Sequence, residues 1–85
     1  MVHHIKINDK FADAILDGDK TFEVRYNDRG YNKGDKIVFK VVDDVGTHIS
    51  YHPLNDKMFE ITYVLSGWGI KEDYVVFGIK PLYTF

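Results

Sequence analysis

Hydrophobic and polar positions along this 85-residue chain switch between a period of two and a period near 3.6, and each switch marks an element. His3-His4-Ile5-Lys6-Ile7 reads as a short first strand. Phe11, Ala12, Ile15 and Leu16 then form an apolar stripe at i, i+4 and i+1, i+5 spacing. That spacing predicts a helix capped by Asn8 or Asp9 and ended by Asp17-Gly18. At about nine residues such a helix is too short to stand alone and must pack on a sheet. Thr21 to Tyr26 alternates again: Phe22, Val24 and Tyr26 face one way, Thr21, Glu23 and Arg25 the other. The apolar side is expected to anchor the core, which leaves the charged side at a surface.

Asn27 to Asp35 is dense in turn formers. Lys36 to Val42 is a strand apolar at nearly every position, expected to be covered on both faces. Asp43-Asp44-Val45-Gly46 turns, and Thr47 to Tyr51 predicts a further short strand before Pro53. Met58 to Leu65 is a strand by its β-branched and aromatic content. Ser66-Gly67-Trp68-Gly69 loops, with Trp68 expected to plug one end of the fold. Tyr74 to Ile79 closes as a strand in which Gly78 marks a bulge or a close contact. The order β-α-β-β-(β)-β-β predicts one domain over residues 1–85. Its class is α+β, a mixed, largely antiparallel sheet curled into a small barrel with one helix.

Composition narrows the function. A hydrophobic fraction of 45% with six Phe, six Tyr and one Trp supports a packed core rather than disorder. The net charge of −2 and pI near 6.0 argue against indiscriminate polyanion binding. Recognition of an anion would have to be local and geometric. With no cysteine there is no disulfide, thiolate nucleophile or Cys-based zinc site. No secretory signal and no membrane-length apolar run is legible, so a cytoplasmic protein without membrane contact is expected.

Charge is densest between Gly18 and Gly30, where six of thirteen residues carry it. Same-side strand residues two apart lie within about 7 Å. Glu23 and Arg25 could therefore share one ligand, the guanidinium donating and the carboxylate accepting, with Lys20 just before them. The alternative is a solvated strand face whose ion pair contributes about 0–1 kcal/mol. Thr21 beside Lys20 is the one nucleophile-and-amine pair. His48 and His52 would stand roughly 13 Å apart on a strand, so no metal site and no cofactor is expected. His3 could reach a neighbouring carboxylate, although a solvent-exposed strand end is the commoner arrangement. There is no nucleophile elbow, P-loop or dinucleotide fingerprint.

Taken together, H-x-I-K-I, the helix ending at Gly18, D-K-T-F-E-V-R-Y-N-D-R and N-K-G-D-K-I resemble the ASCH domains, relatives of the PUA fold. More closely, they look like a short, functionally uncharacterised bacterial and phage branch of that superfamily. The hallmark G-x-K-x-x-E-x-R falls on Gly18, Lys20, Glu23 and Arg25. The branch's N-D-R and G-D fall on Asn27, Asp28, Arg29, Gly34 and Asp35, and its leading histidine and lysine on His3 and Lys6. The resemblance implies a PUA-like barrel with a helix packed against it and a charged cleft between the two. It further implies an RNA- or nucleotide-binding module using Lys20, Thr21, Glu23, Arg25, Asn27, Asp28, Arg29, His3 and Lys6. The alternative it implies is a small amidohydrolase acting on an acylated nucleoside, with Lys20 and Glu23 as catalytic candidates. One ASCH lineage hydrolyses N4-acetylcytidine with a lysine matching Lys20, but it has threonine where this chain has Glu23.

Overall fold

The computed structural model describes residues 1–83, in the order β1 (Val2–Asn8), α1 (Asp9–Leu16), β2 (Phe22–Tyr26), β3 (Lys36–Val42), β4 (Met58–Leu65) and β5 (Tyr74–Pro81). The five strands form one mixed sheet in the order β1-β3-β4-β5-β2. The pair β1–β3 is parallel and all others are antiparallel. The sheet curls into a half-barrel, and its two edge strands, β1 and β2, face each other across an open seam. Class, helix number and curled sheet agree with the expectation from the sequence.

Alternation explains most of the core. Ile5 and Ile7 of β1, Ile37, Phe39 and Val41 of β3, Phe59 and Ile61 of β4, and Val75, Phe77 and Ile79 of β5 all point inward and are buried. Ala12 and Ile15 bury one side of α1 against them. Asn8 caps the helix, its side-chain oxygen accepting from the Lys10 amide at 3.1 Å. Gly18 takes a φ of +80° just past the helix end. Beyond it the amides of Asp19 and Lys20 both donate to the Ala14 carbonyl, at 3.0 and 3.1 Å. This tight wrap brings Lys20 to the start of β2.

Several expectations need correcting. Thr47 to Tyr51 forms only an isolated bridge, Val42 to His48, rather than a strand. Instead the segment is tied down by Asn55, whose side chain accepts from the Val41 amide and donates to the Ile49 carbonyl. Leu54, just beyond it in the loop to β4, is fully buried. β3 is not covered on both faces, since Val38 is half-buried and Lys40 exposed. Trp68 plugs nothing: it is 93% exposed at the tip of the β4–β5 loop. The Gly78 expectation holds in its close-contact form. The sheet register slips between Ile61 and Tyr63, opposite Gly78, and a Cβ there would lie 2.5 Å from the Thr62 hydroxyl oxygen.

The largest correction concerns β2. Glu23 is only 4% exposed, whereas Phe22, Val24 and Tyr26 are 45, 53 and 55% exposed. The antiparallel register pairs Glu23 with Phe77 and Arg25 with Val75, both inward-facing, and so turns the polar side of β2 inward. The apolar side looks out, the reverse of the expectation. An inward carboxylate is tolerable only when it is paired and hydrogen-bonded, and Glu23 is both.

Candidate functional site

Glu23 forms the centre of a three-residue charge cluster on the inner side of the seam. One oxygen, Oε1, accepts two bonds from Arg25, from Nε at 3.0 Å and Nη2 at 2.8 Å. The other, Oε2, accepts from the Lys20 ammonium, which also donates to the Phe22 carbonyl at 2.7 Å. Arg25 then reaches across the seam, with Nη2 2.5 Å from the Lys6 carbonyl of β1. A single guanidinium thus ties the two edge strands together, and it does so from the buried carboxylate.

The cluster forms the floor of a cleft of about 720 Å³ between β1, α1 and β2. Its walls are aromatic: Phe11 from α1, Phe22 and Tyr26 from β2, and Tyr74 from β5. Lys20 lies between two of these rings, its nitrogen 5.5 Å from the Phe11 centroid and 5.2 Å from that of Phe22. Tyr26 and Tyr74 meet edge to face at 5.7 Å between centroids. The backbone contributes as well. Thr21 bonds to Ile79 of β5, and Asn27 to Asp73 just before it. The alternation of an antiparallel ladder therefore turns the amide and carbonyl groups of Phe22, Val24 and Tyr26 toward the seam.

The donor and acceptor balance defines what the cleft can hold. Three cations, Lys6, Lys20 and Arg25, and two carboxylates, Asp19 and Glu23, line it and leave a net charge of +1, with Lys20, Glu23 and Arg25 forming its floor. Arg25 Nη1 and one Lys20 proton make no bond among the described residues. A carboxylate oxygen has two acceptor sites, so Oε1 is full and Oε2 retains one. The floor thus offers several donors, one side-chain acceptor, and the edge groups of Val24. Aromatic faces stand above them.

Of the nine residues expected at the site, Lys6, Lys20, Glu23 and Arg25 line this cleft. Asp28 and Arg29, with Lys6 and Arg25 again, line an adjoining cavity of about 520 Å³. The remaining three do other work. Thr21 is exposed and lies outside the cleft, its carbonyl accepting from Ile79 to extend the β2–β5 ladder. Asn27 accepts from the Tyr31 amide through its side chain and so shapes the turn. His3 does not sit at an exposed strand end. It is buried against Tyr31, and its Nε2 donates to Asp35 at 2.8 Å. That bond holds the Asp35 carboxyl below its ordinary range. Burial pushes the Tyr31 hydroxyl above its ordinary range, against the opposing pull of Arg25 and Arg29.

His48 and His52 also bond separately: His48 Nδ1 lies 3.1 Å from the Val41 carbonyl, and His52 Nε2 donates to Asp13 at 2.7 Å. Among the described residues no three His, Asp or Glu side chains come together as a metal site. No helix among them is long and apolar enough to cross a membrane. Sequence reasoning missed Phe11, Phe22, Tyr26 and Tyr74 as cleft walls, because apolar periodicity assigned their like to the core. The usable signal was the glutamate between two cations, a cluster that shields itself well enough to turn inward.

Comparison with known proteins adds a family and no activity. Residues 2–79 match the family described as "Domain of unknown function (DUF3850)". Over 37 residues the chain is 38% identical to the "Uncharacterized 12.9 kDa protein in GpA 3'region" of Escherichia phage P2. That stretch is 44% of this chain and 34% of the phage protein, so the match spans about a third of the relative's length.

Proposed function

The chain belongs to the DUF3850 family, and we propose that its seam cleft is a binding site for the base of a nucleotide or of single-stranded RNA. The observation that carries this reading is the union of exposed aromatic walls with a donor-rich floor in one cleft of about 720 Å³. Clefts of roughly 300–1,000 Å³ with few, fixed polar groups are the usual form of small-ligand sites. A base offers a flat π-face and an edge of carbonyl oxygens and ring nitrogens. Stacking on Phe22 or Tyr26 contributes about 1–3 kcal/mol. Arg25 Nη1 and Lys20 donate to base carbonyls, and the remaining Glu23 oxygen site accepts from one exocyclic amine. The likeness of Lys20, Glu23 and Arg25 to the ASCH hallmark points to the same ligand class.

The test is a titration of the purified protein with nucleosides, nucleotides and short single-stranded RNAs, followed by tyrosine fluorescence or calorimetry. Saturable binding is expected, and Phe22→Ala should weaken it about tenfold, as loss of a stacking partner does. Because Phe22 is largely exposed, that variant should fold normally. Failure of every base-bearing ligand to bind would overturn the reading. Turnover of an acylated nucleoside, lost in Lys20→Met, would move it from binding to hydrolysis.

A further inference from the structure

The cavity beside the cleft differs from it in chemistry. It is lined by Lys6, Arg25, Arg29 and Lys40, with Asp28 as its one carboxylate, and it shares Lys6, Arg25 and Tyr26 with the cleft. Lys6 and Lys40 are register partners on β1 and β3, and both side chains are exposed on the outer side of the sheet. Like charges placed opposite each other across strands repel. No carboxylate bonds to either, nor to Arg29, among the described residues.

The other basic residues show how unusual this is. Of the eleven Lys and Arg side chains, all but Lys6, Arg29, Lys33 and Lys40 have an acidic partner or an aromatic ring among the described residues. Three of those four line this one cavity, in a protein whose net charge is −2. Bulk attraction cannot have gathered them, and among the described residues no ion pair neutralises them.

We infer that this second cavity is a phosphate subsite, so that the ligand is a phosphorylated nucleoside lying across Arg25, with its base in the cleft and its phosphate on Lys6, Lys40 and Arg29. This rests on the base-binding reading of the cleft. The phosphate is a monoester of a free nucleotide or a diester of a strand, and the two share the same contacts. Lys6 and Arg25, common to both cavities, form the threshold between them. Asp28 limits the total positive charge, which fits one phosphate rather than a long polyanion track.

The experiment compares adenosine, adenosine 5′-monophosphate, a short oligoadenylate and ribose 5-phosphate on the full chain at low salt. The monophosphate should bind about tenfold tighter than adenosine, the gain expected when charge-assisted bonds to a phosphate are partly screened by solvent. The paired substitution Lys40→Met and Arg29→Met should bring the two within about twofold. Lys33→Met, which removes the fourth unpartnered cation, should leave the ratio unchanged. A further gain for the oligoadenylate identifies the diester, and no gain identifies the free nucleotide. Equal binding of adenosine and its monophosphate, or a phosphate gain that survives the double substitution, overturns the phosphate subsite and leaves the base cleft standing. Binding of ribose 5-phosphate alone, lost in the double variant, overturns the base cleft and leaves the subsite. If nothing in the panel binds, both are overturned.

Discussion

β2 and β5 lie side by side in one sheet, yet their apolar residues are oriented oppositely. In β5 the apolar residues Val75, Phe77 and Ile79 are buried. In β2 the apolar residues Phe22, Val24 and Tyr26 are exposed, and Glu23 takes the inward position opposite Phe77. The strict alternation of β2 specifies that the strand has two faces; it does not specify which is inside. For β5 burial of its apolar side decides the matter, because the strand is flanked on both edges. For β2, an edge strand, the decision falls to the Lys20–Glu23–Arg25 cluster, which satisfies its own charge and reaches β1 through the Lys6 carbonyl.

The most direct way to break this comparison is to make the same deletion in both strands. Phe77→Ala should cost about 3–5 kcal/mol, the range for emptying a buried aromatic site. Phe22→Ala should cost less than about 1 kcal/mol, because the ring is nearly half exposed and leaves no sealed cavity. Urea denaturation of the two variants reads the difference in midpoint. Equal costs would mean that β2 is oriented like β5.

Next in size is Glu23→Gln, which keeps the shape and removes the charge that Lys20 and Arg25 share. Removing one partner of a buried ion pair costs about 3–5 kcal/mol. Here Lys20 and Arg25 keep partial access to water, and the expected loss is about 1–3 kcal/mol. Glu60 also bonds two cations, Lys36 and Lys80, but lies on the outer surface. Glu60→Gln should therefore lower the melting temperature much less. Similar losses from the two variants would show that Glu23 is solvated.

How much of this was legible in the sequence follows from the same contrast. The strands β1, β4 and β5, the helix with its Asn8 cap and the Gly18 exit are all marked by local periodicity and turn chemistry, and the structure has them. Lys20, Glu23 and Arg25 are marked by spacing, and the cleft holds them together. Three things depended on tertiary context instead. Leu54 is buried in a loop because Asn55 supplies the hydrogen bonds that such a segment otherwise lacks. His3 is buried because Asp35, 32 residues away, accepts from it. The orientation of β2 follows from its charge cluster closing on the Lys6 carbonyl of β1, 19 residues away, a contact that apolar alternation by itself does not encode.

Two carboxylates outside the cleft carry an acid dependence of stability. Asp35 has its carboxyl held low first by the His3 hydrogen bond, and Glu60 by the hydrogen bonds from Lys36 and Lys80. A depressed folded-state value means that the unfolded chain binds more protons between that value and the ordinary one. The stability from these groups is complete above the ordinary carboxylate range, about pH 4, and is lost as pH falls through the folded values. Melting temperature should thus be flat from pH 7 to about 5 and decline below about 4. Asp35→Asn should lower the plateau and flatten the decline, and an unchanged acid profile would remove Asp35 from the account.

The smallest expected effect is the sharpest test of orientation. Val24→Thr and Val75→Thr make the same change, a methyl for a hydroxyl, and both residues stay β-branched, so strand propensity is nearly constant. Val75 is buried opposite Arg25, and a hydroxyl there must find a partner or lose its hydration, at a cost of about 1–3 kcal/mol. Val24 is more than half exposed, and its variant should stay within about 0.5 kcal/mol of the native protein. Stability alone would then call Val24 an ordinary surface residue. Ligand titration should separate it from one, because Val24 lines the cleft between Phe22 and Tyr26. A base stacked there loses apolar contact when the methyl is replaced, so adenosine 5′-monophosphate should bind the Val24→Thr protein more weakly although its folding is unchanged. Unchanged binding together with unchanged stability would leave the outward apolar face of β2 without a ligand to explain it.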